Sequence, residues 1–350
     1  MRQLTYAQSL SEALVQAMQR DERVMVMGLG VDTPTGVFGT TTDAARRFAG
    51  RVIGTPIAEN AMTGVALGAA VAGMKAVLIH QRMDFMLMSM DQIANQVAKW
   101  AFMTGGKSKP TVVIRAVIGH AVGGGWGQAS QHAQSLEALF ASIPGLRVVM
   151  PFTAADAKGM LMAALAAEGP TVLLDHRLLH ATKGNVPERP FKTPPGKAAV
   201  RRRGRDITVV ATSAANLLVQ RAVAACARRG IETEWIDLRS AKPWDRRAVM
   251  TSVMKTRRLL TIETGPRAFG VGAEIIASAA EGMGGRLRAA RRIGLPDMPV
   301  PAGHMIESQY YPGAGDVLEA IGDMCGVKMP SRPTIRDDEK KSIPGFRSAF

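Results

Sequence analysis

Cysteine is almost absent from this chain. Cys226 and Cys325 are the only two among 350 residues. They lie far apart, each in a helical-looking segment, so they offer neither a disulfide framework nor metal-ligand spacing. Both read as small core residues. Aromatic residues make up only 5% of the chain, so its formal charge of +15 comes without the stacking platforms of single-strand nucleic-acid binders. Lys and Arg are interleaved with helix patterns rather than gathered in one run, and no nucleic-acid partner is expected. The charge reads as a solvated basic surface, a docking face for an acidic partner or a funnel for an anionic substrate. The longest apolar run, Val65 to Ile79, is broken by Lys75 and falls short of the roughly 20 residues that span a bilayer. No basic stretch followed by an apolar segment and a small-residue cleavage site opens the chain, so the cytoplasm is the expected compartment. HExxH, CxxC and GxSxG are all missing, which removes support for zinc hydrolysis and for a nucleophile-elbow serine. Gly105-Gly106-Lys107-Ser108 lacks the earlier glycine of a phosphate loop, because Ala101 stands there, and Gly28-Leu29-Gly30 lacks the third glycine of a dinucleotide fingerprint.

What is present is an α/β rhythm in a chain long enough for two domains. Val24 to Met27, Ala76 to Ile79, Val112 to Arg115, Arg147 to Met150 and Val172 to Asp175 are strand candidates. Helical periodicity fills the gaps over Tyr6 to Arg20, Met62 to Gly73, Met90 to Met103 and Ala154 to Ala167, as crossover helices of a doubly wound, mostly parallel sheet require. The first domain is placed at residues 1–185. A Pro, Lys and Arg-rich passage at 186–205 reads as a linker. A smaller α/β domain follows at 206–330, with strands over Ile207 to Ala211, Glu234 to Asp237 and Leu259 to Glu263 and helices over Asn216 to Arg229 and Ala268 to Glu281. Residues 331–350 form a polar tail.

The informative stretch is Gly54-Thr55-Pro56-Ile57-Ala58-Glu59-Asn60, followed by Gly64, Gly68 and Gly73 in an alanine-rich helix. Pro56 biases Thr55 toward an extended backbone, and the chain then turns into a helix near Asn60 with Glu59 at its start, where a carboxylate stays ionised more easily. Small residues on that helix allow close approach of another backbone. Further along come Asp84-Phe85, Met90-Asp91-Gln92-Ile93, Gln131-His132-Ala133-Gln134-Ser135 and Ile143 to Pro151. Beyond residue 206 come Ile236 to Arg239 with Pro243, Glu263-Thr264-Gly265, Phe269 to Glu274, Leu295-Pro296-Asp297 and Tyr310-Tyr311-Pro312.

In that order the motifs resemble the beta subunits of the pyruvate, branched-chain 2-oxo acid and acetoin dehydrogenase decarboxylase components, members of the transketolase-like superfamily. The resemblance implies a transketolase-like pyrimidine-binding domain followed by a transketolase C-terminal-like domain. It also implies an oxidoreductase acting on an oxo group with a disulfide acceptor: decarboxylation of a 2-oxo acid on thiamine diphosphate and acyl transfer to lipoamide. The Glu59 carboxylate would hydrogen-bond a ring nitrogen of the thiamine aminopyrimidine and favour its imino tautomer. Phe85 would pack on that ring, Ile57 would be its apolar neighbour, and Gln81 would join the cofactor surround. His132 would face the active-site channel as a charge or proton carrier.

Departures from the family carry information too. Gln81 and Arg82 stand where pyruvate enzymes carry apolar or small residues, which makes the cofactor surround or substrate mouth more polar. The loop Ile118 to Trp126, with His120 and Gly123 to Gly125, is longer than in the mammalian pyruvate enzyme. Ala164 to Pro170 corresponds to a loop that holds a structural potassium ion in the family, with Ala167 and Gly169 where relatives often have Asp and Asn. No Gly-Asp-Gly motif with a downstream Asn is present to hold the Mg²⁺ of the diphosphate, so that site is expected on an alpha subunit, in an assembly of two alpha and two beta chains. The family also docks a lipoyl acyltransferase core, usually through acidic beta-subunit residues, a mode that a basic chain does not simply inherit. The other reading is a thiamine-dependent carboligase or biosynthetic half-enzyme without a lipoyl partner.

Overall fold

The computed structural model describes residues 2–120, 129–302 and 309–329, and the chain divides into two compact units. The first runs up to Gly119 and includes Gln131–Lys197 and Arg239–Pro243; the second is built chiefly from Ala198–Leu238 and the residues from Trp244 onward. The glycines of the loop after His120 and the tail from 331 lie outside the described residues. Among the described residues no helix is long and apolar enough to cross a membrane.

The first unit carries β1 (Arg2–Thr5), β2 (Val24–Gly28), β3 (Val52–Gly54), β4 (Lys75–His80), β5 (Val112–Ile118), β6 (Arg147–Val149), β7 (Thr171–His176) and β8 (Lys183–Val186). A seven-stranded sheet has the order Ser240–Lys242, β6, β7, β5, β4, β2, β3, in which every pair is parallel except Ser240–Lys242 against β6. β1 and β8 form a separate antiparallel ribbon. β2, β5 and β7 are buried at every position, which is why they read as continuous apolar runs rather than alternating ones. The second unit holds five strands in the order Ala289–Leu295, Arg258–Pro266, Ile207–Ala211, Thr233–Asp237, Ala199–Arg202, parallel but for the last pair. β8 and Ala199–Arg202 are strands at either end of the stretch that reads as a linker in the sequence. Cys226 is buried in the helix Ala215–Arg228, and burial pushes its thiol up to about 11.

The helix Tyr6–Arg20 occupies the predicted residues because both of its determinants are local. Thr5 and Gln8 form a capping box, and Tyr6, Leu10, Ala13, Leu14, Ala17 and Met18 are buried along one stripe. The predicted helix Met90 to Met103 is broken instead. A π-helical stretch covers Gln92–Val97, and regular helix resumes only at Trp100–Met103.

β5 continues through Arg115, where a charged residue had marked its expected end. Arg115 is fully buried and donates twice to Asp175 on β7, from Nε and Nη2, each at 2.9 Å. Its Nη1 donates to Thr40 Oγ1 at 2.6 Å, and His180 Nε2 meets Asp175 Oδ2 at 2.6 Å. Burial alone would raise the Asp175 carboxyl, but Arg115 and His180 hold it well below the usual carboxylate range. Such a pair ties adjacent strands together, and removing one partner typically costs about 3–5 kcal/mol.

A half-buried cation, Arg147, ties down the Ala164–Pro170 turn. Arg147 Nη2 donates to the carbonyls of Glu168 and Gly169, both at 2.7 Å, and its Nε donates to Thr171 Oγ1 at 3.0 Å. Thr111 Oγ1 donates to Ala167 O at 3.0 Å, and the Ala167 amide donates to Ala164 O at 3.3 Å. Each of these carbonyls thus accepts from a donor within the chain, which closes the turn through the protein's own hydrogen bonds. The melting temperature is expected to be the same in potassium and choline buffers of equal ionic strength. Arg147→Met should lower it by a few degrees, in line with about 1 kcal/mol for hydrogen bonds lost at a half-buried site. Stabilisation by potassium in calorimetric scans of the wild-type chain would contradict this account.

Candidate active site

The carboxyl ends of β2, β3 and β4 meet along one edge of the first unit's sheet, the place where open parallel sheets receive ligands. A small cleft opens there, with Leu29, Met62, Leu78 and Phe85 as apolar walls and Glu59, His80 and Gln81 as its ionisable or amide-bearing groups. Gly28 forms part of the floor. Its φ is +152°, and a Cβ at this position would lie 2.3 Å from the Ile79 carbonyl oxygen, so only glycine lets the two strand ends approach this closely.

Glu59 is delivered by the loop that leaves β3. The Thr55 amide donates to Gly28 O at 3.1 Å, which pins the loop to the end of β2. Ala58 then adopts φ −156°, ψ 61°, and the helix Glu59–Val71 starts with no side-chain cap. Glu59 is thus the first helical residue, where the unpaired amides favour a negative charge. Its Oε2 is buried and has no hydrogen-bond partner.

The other predicted site residues separate into two groups. Gln81 lines the cleft and donates from Nε2 to Leu29 O at 3.1 Å. Phe85 lines it from the short helix Met83–Met86. His132 does not line it but meets the Phe85 ring edge-on, with centroids 5.2 Å apart and planes at 89°. Gln134 Nε2 donates to Asp84 Oδ1 at 2.7 Å and so ties the histidine segment to the Phe85 helix. Ile57 is not among the lining residues and is 75% exposed. Arg82 also lies outside the lining. It is buried, donates to Gly119 O at 3.0 Å and sits over the Phe38 ring. The extra polarity of the cleft therefore comes from Gln81 and from a residue that sequence reasoning passed over.

That residue is His80, the last position of β4. It is 5% exposed, and its Nε2 is buried without a hydrogen-bond partner. Burial holds its pKa down to about 4, so the imidazole is neutral near pH 7. The only sequence signal was one polar residue closing an apolar run, a pattern more often met at an ordinary strand end.

The same shift gives a sign to the stability. Unfolded His80 takes up a proton as pH falls below about 6.5, whereas the folded form refuses it until about 4, so folding is penalised progressively across that window. Urea unfolding of the wild-type chain should lose about 2 kcal/mol between pH 7 and pH 5 relative to His80→Gln, which has nothing to titrate there. Parallel pH profiles for the two proteins would contradict the burial of a neutral imidazole.

Comparisons with known proteins agree with the α/β fold of both units. Residues 2–182 match the family of the transketolase pyrimidine-binding domain, and residues 196–317 match that of the transketolase C-terminal domain. The chain is 36% identical over 333 residues to the acetoin:2,6-dichlorophenolindophenol oxidoreductase subunit beta of Cupriavidus necator, covering 91% of this chain and 96% of that protein. It is 34% identical over 326 residues to the mitochondrial pyruvate dehydrogenase E1 component subunit beta of Rattus norvegicus, covering 91% and 90%. A solved structure titled as a split gene transketolase, inactive beta4 tetramer, superposes with a TM-score of 0.75 over 93% of this chain and 99% of that one. At 24% identity, that likeness speaks for the fold alone.

Proposed function

Because this chain belongs to the family of beta subunits of the 2-oxo acid and acetoin dehydrogenase E1 components, we propose that it forms, with an alpha subunit, an enzyme that decarboxylates a 2-oxo acid and passes the acyl group to lipoamide. The observation that carries this reading is the buried, partnerless Glu59 Oε2 at the wall of an otherwise largely apolar cleft. Thiamine diphosphate is the cofactor the family implies, and the residues present fit its pyrimidine half. A flat heteroaromatic ring offers a nitrogen to the carboxylate and a face to Phe85, with Gln81 at the rim. When bound, the cofactor supplies the electron sink for loss of carbon dioxide.

The chain's own contribution is to place the Glu59 carboxylate where it shares a proton with a ring nitrogen and to orient the ring against apolar walls. His132, held edge-on to Phe85, is placed to serve the channel beside it as a charge or proton carrier. For the metal end of the cofactor the sequence offers no Gly-Asp-Gly motif with a downstream Asn. That supports assigning Mg²⁺ and the diphosphate to the alpha subunit. Exposed Ile53, Ile57, Val65 and Val71, carried by β3, the loop after it and the helix that starts at Glu59, support burial of this side by another chain. We assign the assembly as two alpha and two beta chains. A lipoyl acyltransferase core is the proposed acceptor partner.

Glu59→Gln is expected to reduce 2-oxo acid turnover with an artificial electron acceptor by about 100-fold or more, while the alpha–beta complex elutes at its wild-type size. Undiminished turnover would remove Glu59 from the chemistry.

A further inference from the structure

Glu59 Oε2 and His80 Nε2 are both buried and partnerless, and both residues line one cleft. The function proposed above employs only the first. We propose that His80 is a positioning residue for the same heteroaromatic ring, its neutral imidazole making a second hydrogen bond to a polar atom on another edge of the pyrimidine. The inference rests on the cleft receiving the aminopyrimidine half of thiamine diphosphate and adds a residue that holds the ring's rotation.

Three observations lead there. His80 closes β4 at the carboxyl edge of the sheet, beside Gln81, whose amide nitrogen is already committed to Leu29 O. The remaining walls of the cleft are largely apolar, with Leu29, Pro56, Met62, Leu78 and Phe85 among them, so a ligand atom that reaches the imidazole meets little competition. Burial keeps the ring uncharged, and a neutral imidazole can donate or accept at Nε2 according to its tautomer. A carboxylate alone fixes one edge of a flat ring and leaves it free to pivot. A second polar contact at a different point removes that freedom, and a site built to hydrogen-bond a group discriminates strongly against its loss.

The test is a titration of the alpha–beta complex with thiamine diphosphate in Mg²⁺, followed by intrinsic fluorescence, for the wild type, His80→Leu and His80→Gln, with the cofactor-free melting temperature of each. His80→Leu should raise Kd by about tenfold or more at an undiminished cofactor-free melting temperature, and His80→Gln, which keeps a donor and an acceptor, should stay within about threefold of the wild type. Wild-type affinity in His80→Leu would overturn the proposal while leaving the cofactor assignment standing. Equal weakening in both variants with lowered melting temperatures would also overturn it, in favour of a packing role. A wild-type complex that binds no thiamine diphosphate would overturn this inference and the function it rests on together.

Discussion

A carboxylate oxygen shut away from water without a hydrogen-bond partner is the constraint on which the site depends. An unmet buried acceptor costs about 1–3 kcal/mol, and more when it carries charge, so a fold retains one where something outside the chain completes it. At Glu59 the first turn of the helix Glu59–Val71 eases part of that cost through its free amides, and the apolar walls raise the value of whatever donor arrives. The neutral imidazole of His80 lines the same cleft in a similar condition. Two unmet polar groups on one largely apolar cleft describe the complement of a flat ring with polar atoms at separate points on its rim.

The rest of the first unit keeps those groups in register. β2 and β4 run parallel and fully paired from Val24 to Gly28, and the glycine at the end of β2 lets its backbone lie against Ile79. The loop from β3 is tied back to the same strand end through Thr55, so the start of the Glu59 helix is set by backbone contacts rather than by its own cap. Deeper in the sheet, the paired hydrogen bonds of Arg115 to Asp175 tie β5 to β7. The positions that bear chemistry thus hang on strand ends whose separation the ladder fixes.

Much of this layout was legible in the sequence where the determinants are local. The helix Tyr6–Arg20 follows from a Thr-x-x-Gln cap and one apolar stripe, and Glu59 stands out because Pro56 ends an extended segment just before a helix. The α/β architecture followed from the alternation of buried runs and helical stretches. What stayed hidden depends on distant partners. β5 carries Arg115 at a fully buried position, where Asp175, 60 residues on, neutralises it. The π-helical Gln92–Val97 carries no periodicity of its own, and the carbonyls of Glu168 and Gly169 meet Arg147 only in the folded turn. Family likeness puts Ile57 beside the ring, and within this chain alone its side chain is exposed. His80 escaped notice because a polar residue at a strand end has no pattern that tells a site from a boundary.

The most direct measurement is the structure of the alpha–beta complex with thiamine diphosphate and Mg²⁺, refined to a resolution at which the pyrimidine orientation is unambiguous. The account predicts a Glu59 carboxylate oxygen within hydrogen-bond reach of a pyrimidine nitrogen, with the ring lying against Phe85. A cofactor bound elsewhere, or a Glu59 side chain turned to solvent with the cleft vacant, would contradict it.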